Sequence, residues 1–290
     1  MTTKWLKTSI GPIGLFGILT NYGYHHQNYI RSLFEDKKET LPAEPIANYE
    51  FPAEFEQKID SFCEDIERNL SNYPKRVYDR SVEAQGDFTF QKQSGRATGK
   101  GVISSPSQEF RMIGEFSNGQ LDGMGIVYDQ KNRTSYKGVL HKGFIDGLGV
   151  WNVEGDFIYK GNFAKSKPSG SGKYTFNDGR ECVITGPEKP DGKDFAVCYG
   201  KNKALKYKGE WEDSDFNGKG VFYLADGGRY EGDFVEGRMH GDGKLFDKYG
   251  DLEYQGEFNN DKKENFLNYF SEPIIAGALV VSYLVIKFLP

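Results

Sequence analysis

The sequence predicts a mainly β fold: an elongated single-layer ribbon of hairpins, with an amphipathic helix before it and an apolar transmembrane helix after it. Three observations carry that reading. A frame of glycines and aromatic residues returns in steps of 23 or 24 residues through the middle of the chain. Inside the frame, ring, glycine and ring follow at two-residue steps with charged or polar residues between them, the period of a half-buried strand. Ahead of the frame the apolar residues switch to helical spacing, and behind it they run on without interruption.

The clearest copy is Arg229 to Phe246, where Tyr230, Gly232, Phe234, Gly237, Gly241, Gly243 and Phe246 set the frame. The copy before it holds Tyr207, Gly209, Trp211, Gly218, Gly220 and Tyr223. Further copies fall on Tyr159, Gly161, Phe163, Gly170 and Gly172, on Tyr136, Gly138, Gly143, Gly147 and Gly149, and on Gly114, Phe116, Gly119, Gly123 and Gly125. A worn first copy keeps Phe88, Gly95, Gly99 and Gly101, and a last half copy keeps Tyr254, Gly256 and Phe258. One double step, from Gly161 to Gly209, hides a missing member. In a strand, Tyr230, Gly232 and Phe234 share one face while Glu231 and Asp233 take the other. Glu236-Gly237 then reverses the chain, and Gly241 and Gly243 leave bare positions where rings of adjoining units are expected to lie. One such hairpin is marginal in water, so stability has to come from stacking many.

With YEGDFVEGRMHGDGKLF at its centre, the pattern resembles the MORN repeat over residues 86–262. It departs between Cys182 and Lys206, where GPEKPDG brings two prolines and no glycine-x-glycine, so residues 182–206 read as an irregular hairpin or a protruding loop. The resemblance implies an elongated β ribbon used as a scaffold, with membrane lipid or another domain as its client.

The chain has 290 residues and a mean hydropathy of -0.64, enough for one extended domain with attachments. Its net charge of -5 gives no reason to expect nucleic acid. Cys63, Cys182 and Cys198 form an odd set without metal spacing, which favours a reduced compartment, although Cys182 and Cys198 could face each other across the irregular hairpin. Residues 1–34 hold no Asp or Glu and include an apolar run from Ile10 to Leu19, the composition of an organelle-import segment, a membrane-inserting arm or a flexible tail. Residues 35–51 carry charge and prolines and read as a linker. Over residues 52–73, Phe55, Ile59, Phe62, Ile66 and Leu70 recur at helical spacing; this stripe is expected to cap or pack on the first hairpins, or to bind a partner.

Lysine and arginine dominate the first part of the array and carboxylates the last. Lys160, Lys165, Lys167, Lys201, Lys203, Lys206 and Lys208 could meet an anionic lipid or an acidic partner, or merely solubilise a strand face. Residues 267–290 close the chain with an apolar span through Ile274, Ile275, Leu279, Val280, Val281, Leu284, Val285 and Ile286, read as a membrane anchor. No phosphate loop, serine elbow or zinc-protease helix is present, and the four histidines lack partners at ligand spacing, so neither cofactor nor metal is expected. The sequence therefore reads as a non-enzymatic, membrane-anchored scaffold. The first expectation is an accessory subunit of a membrane protein complex, with the mitochondrial inner membrane favoured over the endoplasmic reticulum or a plasma-membrane junction. The alternative is a lipid-binding tether similar in arrangement to junctophilins, whose long helical spacer this chain lacks.

Overall fold

The computed structural model describes residues 49–79, 82–186 and 193–264. The expectations for residues 1–34, for most of the linker and for the anchor at 267–290 lie outside them. Described first is α1 (Ala53–Asn69), followed by a single 3-10 turn, Leu70–Asn72. Pro52 precedes α1 where its missing N–H costs nothing; Glu54 and Glu56 in the first turn and Arg68 in the last complement the helix dipole.

One antiparallel sheet of 17 strands follows. It opens with β1 (Arg76–Asp79), and the hairpins are β2 (Val82–Phe90) with β3 (Ala97–Ser104), β4 (Phe110–Ser117) with β5 (Gln120–Asp129), and β6 (Thr134–His141) with β7 (Phe144–Val153). They continue as β8 (Phe157–Ala164) with β9 (Lys167–Phe176), β10 (Glu181–Thr185) with β11 (Asp194–Tyr199), and β12 (Leu205–Glu212) with β13 (Asp215–Tyr223). The sheet ends in β14 (Arg229–Val235) with β15 (Arg238–Phe246) and β16 (Leu252–Asn259) with the short β17 (Lys262–Lys263). Each strand pairs with the next in the chain, so the sheet is an uninterrupted meander.

Most described hairpin tips are two-residue turns with both residues at positive φ, such as Lys142-Gly143, Lys165-Ser166, Glu236-Gly237 and Asn260-Asp261. This is the turn whose twist matches that of the flanking strands. The second residue of each turn donates its N–H to the preceding hairpin: Gly143 to Leu121 O (2.8 Å), Ser166 to Ile145 O (2.8 Å), Gly237 to Phe216 O (3.0 Å) and Asp261 to Met239 O (3.0 Å). Where the residue is not glycine, its side chain returns a bond to the same neighbour. Ser166 Oγ accepts from Ile145 N at 3.0 Å, and Asp261 Oδ1 accepts from Met239 N at 2.9 Å. The tips are thus stapled one to the next.

The irregular stretch is itself a hairpin in register. Its β10 pairs with β9 on one side and β11 pairs with β12 on the other, and Cys182 lies opposite Cys198. Their sulfurs are bonded, with Cα atoms 4.0 Å apart, so the free-thiol expectation does not hold for this pair; Cys63 is free and lies on the buried side of α1.

Of the two placements expected for α1, packing on the first hairpins holds and capping the edge of the sheet does not. The helix crosses one face of β3 to β6, burying Ile59, Cys63 and Ile66 on Val102, Ile113 and Ile126, with Phe55, Phe62, Leu70 and Met124 around them. The edge is instead taken by β1, the chain immediately after the helix. Each aliphatic side chain so buried contributes about 1.5–3 kcal/mol. Arg111 bonds Glu67, and Gln85 donates to Leu70 O (2.8 Å) and Tyr73 O (3.0 Å), which closes the helix exit onto β2.

Candidate interaction surface

The two faces of the sheet are built differently. On the inner face, Tyr136, Tyr159, Tyr207 and Tyr230 are buried and lie flat on glycine pairs. A Cβ added at Gly232 or Gly243 would fall 2.4 Å from Tyr230 Oη or 2.3 Å from its Cε2, and one at Gly161 or Gly172 would meet Tyr159 Oη at 2.5 or 2.2 Å. Tyr136 covers Gly138 and Gly149, Tyr207 covers Gly209 and Gly220, and Tyr254 covers Gly256. The seat therefore belongs to the ring of the same hairpin, not to an adjoining unit as the sequence suggests. Gly241 is no seat either: it holds φ 59 beside Asp233. Adjoining units meet through the second ring of the frame, with Phe163 on Tyr136 at 5.3 Å, Phe234 on Tyr207 at 5.3 Å and Phe258 on Tyr230 at 4.8 Å between centroids. In the copy lacking the tyrosine, where Met112 holds its place, Leu121 packs toward Gly114 and Gly125 while Phe116 reaches back to Phe88 at 5.5 Å.

Just past the glycine the register slips, between Gly138 and Leu140, Gly161 and Phe163, and Gly209 and Trp211. A bulge of this kind bends its strand and takes one residue out of the ladder. The tyrosine hydroxyl answers for that residue: Tyr136 donates to Val139 O (2.9 Å), Tyr159 to Asn162 O (3.0 Å) and Tyr207 to Glu210 O (2.7 Å). Tyr230 and Tyr254 repeat the bond to Asp233 O (3.0 Å) and Glu257 O (3.1 Å). Burial pushes the pKa of Tyr136, Tyr159 and Tyr207 upward, so the hydroxyls stay protonated and donate. Beyond the bulge, apolar pairs such as Trp211 and Phe216 turn back over the row, and Phe216 stacks on Tyr207 at 3.7 Å. A one-layer sheet thereby encloses a core.

The MORN repeat model matches residues 113–130, 159–179, 207–229, 230–248 and 254–266. The chain carries MORN repeats. Hairpins β6–β7 and β10–β11 lie outside the matched segments, yet they keep the register of their neighbours. Among solved structures, the chain is similar to a mutant of the TCP10 domain of Danio rerio CPAP. The identity is 14% over 64% of this chain and 99% of that one, with a TM-score of 0.23.

The outer face of the array is the one that receives α1. Val102, Ile113, Ile126, Lys137, Val150, Lys160, Lys173, Val183, Val197, Lys208 and Val221 follow one another as cross-strand partners in a single row. Its first members receive α1. Glu56 bonds Lys137 (2.8 Å) and Lys160 (2.6 Å), and Asp60 bonds Lys137 (2.8 Å). Burial works against the charge on Glu56, but the two lysines outweigh it and hold its carboxyl below the usual value. A groove of about 260 Å³ opens beside these ion pairs, lined by Tyr128, Ser135, Asn152 and Ile158 among others.

The lysines named from the sequence do not form one patch. Lys160 faces α1; Lys165 sits in a hairpin tip with Lys167 just after it, and Lys167 pairs with Asp213 at 2.8 Å. Lys201 and Lys203 sit in the loop at the opposite end of β12, where Lys203 pairs with Glu181 at 2.9 Å. Lys206 is buried, and Lys208 is exposed on the outer face. Among the described residues no cluster of His, Cys, Asp and Glu could hold a metal, and no helix is long and apolar enough to cross a membrane.

Asp215, which opens β13, was not singled out by the sequence. It is 5% exposed, and burial raises its pKa to about 7 although its Oδ1 accepts from Phe216 N at 2.7 Å. A carboxyl whose pKa is higher in the fold than in the unfolded chain stabilises the fold most when protonated. That stability is lost as pH rises from about 4 to 7 and is constant above. Asp215→Asn should therefore gain on the wild type across that window, by on the order of 3 kcal/mol in urea unfolding at pH 8 relative to pH 4. A difference between the two chains that does not change with pH would refute the buried-carboxyl account.

Proposed function

We propose that the chain is a non-enzymatic scaffold, an accessory subunit of a membrane protein complex, held at its membrane by residues 267–290. One observation carries this reading. The inner face seals itself with its own rings, while the outer face takes a helix through aliphatic side chains and a lysine–carboxylate rim. Lysine and valine continue along the row past the helix, at Lys173, Val197, Lys208 and Val221, with Val183 buried among them. A surface of this kind suits the helices of protein subunits. The acid-poor start of the chain favours the mitochondrial inner membrane over the endoplasmic reticulum or a plasma-membrane junction. The lipid-binding tether is weaker, because Lys160, Lys167 and Lys203 already spend their charge on Glu56, Asp213 and Glu181.

The test is purification of the full chain in mild detergent, beside a Val197→Asp/Val221→Asp variant. Protein subunits should co-migrate with the wild type through moderate salt and be lost from the variant, and deleting Ile274 to Pro290 should free the chain from carbonate-washed membranes. A wild type that purifies alone and sediments with anionic vesicles in a salt-sensitive way would establish the tether instead.

A further inference from the structure

The missing member of the array is the hairpin of β10 and β11, and its inner face is filled in the reverse way. The tyrosine-bearing hairpins oppose a ring to an apolar side chain and a glycine to a glycine, as in Tyr159 to Tyr174 with Gly161 to Gly172 and Tyr207 to Phe222 with Gly209 to Gly220, and two others without the tyrosine, β2–β3 and β4–β5, still keep the glycine pair. Here the first place is taken by Cys182 opposite Cys198, and the second by Ile184 opposite Ala196, all of them buried. With side chains in place of both glycines no ring could lie flat, so the position calls for something smaller that still ties the strands together. A sulfur bridge meets both conditions.

The neighbours close over it. Trp211 reaches Tyr174 at 5.9 Å, Tyr174 Oη bonds Ser214 Oγ at 2.8 Å, and Lys167 bonds Asp213 at 2.8 Å, each contact passing from β9 or its turn to β12 or its turn. The hairpin under this closure has strands of only 5 and 6 residues and no ring of its own on the inner face.

We infer that Cys182 and Cys198 are a modification site, oxidised in the cell by a disulfide-donating partner, and that the MORN array is completed on the oxidising side of its membrane. In the reaction both S–H bonds break and one S–S bond forms; two electrons and two protons pass to the donor, whose own disulfide becomes a dithiol. Because both sulfurs are buried in the finished sheet, the transfer belongs to the stage before β9 and β12 close over the hairpin. Cys63 stays outside this chemistry. It belongs to α1 and faces the opposite side of the sheet, where burial pushes its thiol up to about 12.

The experiment quenches cells expressing the full chain directly into denaturant with N-ethylmaleimide, then weighs the intact protein before and after reduction and relabelling. Of the three cysteines, one should be labelled before reduction and all three after it, and Cys182→Ser should show labels on both remaining cysteines at once. Three labels on the wild type before reduction would overturn the inference. A second reading separates bond from bystander: dithiothreitol should lower the Tm of the purified wild type and leave that of a Cys182→Ala/Cys198→Ala chain unmoved. A wild-type Tm indifferent to dithiothreitol, with the bond shown to be reduced, would overturn the structural role.

Discussion

Gly232 and Gly243 changed together to alanine will destabilise the array by about 2–5 kcal/mol, since overpacking costs about 1–3 kcal/mol at each site. Both new methyl groups would enter the space of one ring, that of Tyr230, which is fully buried and cannot rise without leaving Phe234 and Phe258. Gly232 has a second obstacle in the backbone, Asp242 O at 2.7 Å. Two substitutions under the same ring share their damage, so the double change should cost less than the sum of the single ones. Glu231→Gln, on the other face of the same strand, is the control and should stay within about 0.5 kcal/mol, its pairing with Arg229 being only partly buried. Urea unfolding decides the matter. A double variant as stable as the control would mean that the rings do not rest on the glycines.

The other large effect belongs to Tyr207. Truncation to alanine should cost about 3–5 kcal/mol, because the ring is wholly buried and stacked on Phe216, and the cavity cannot collapse beneath a covalently closed neighbouring hairpin. Tyr207→Phe is the sharper measurement. It keeps the ring and removes only the hydroxyl, which leaves Glu210 O without its 2.7 Å donor at the bulge; a buried acceptor stranded in that way costs about 1–3 kcal/mol. Tyr254→Phe should cost less, since Tyr254 is only partly buried beside the short last strand. Equal stability of Tyr207→Phe and wild type would show that the bulge carbonyl is served by something other than the hydroxyl.

The hairpins, their glycine seats and the stripe of α1 were legible in the sequence because each is a local periodicity, and the sheet keeps sequence neighbours as spatial neighbours. What was hidden needed a second dimension. The position of Tyr230 over Gly243 joins residues on different strands, and nothing in the spacing says whether the ring comes from the same unit or the next. The stripe of Ile59, Cys63 and Ile66 announces a buried face without naming its partner; the aliphatic row of Val102, Ile113 and Ile126 decides that, one residue from each of three strands. Two signals were present and could have been used. Tyrosine rather than phenylalanine holds the first ring position at 136, 159, 207, 230 and 254, which asks for a role for the hydroxyl. Cys182 stands 23 residues after Tyr159, on the beat of the repeat, so the supposedly missing member was marked by its cysteine. It was overlooked because Ile184 and Ala196 erase the glycines by which the other members are recognised.

The strictly sequential meander also determines how the molecule meets force. With every strand paired in the backbone ladder only with the one before and the one after it, tension entering at the β17 end falls on the outermost ladder first, and its hydrogen bonds open one by one rather than together. The array would yield hairpin by hairpin, as a zipper does, each step releasing a short length of chain at low load. The bond between Cys182 and Cys198 interrupts that sequence: however far the neighbouring strands peel, residues 183–197 cannot be drawn out. A chain pulled from its far end would lengthen gradually and keep, at its middle, one loop that tension cannot reach.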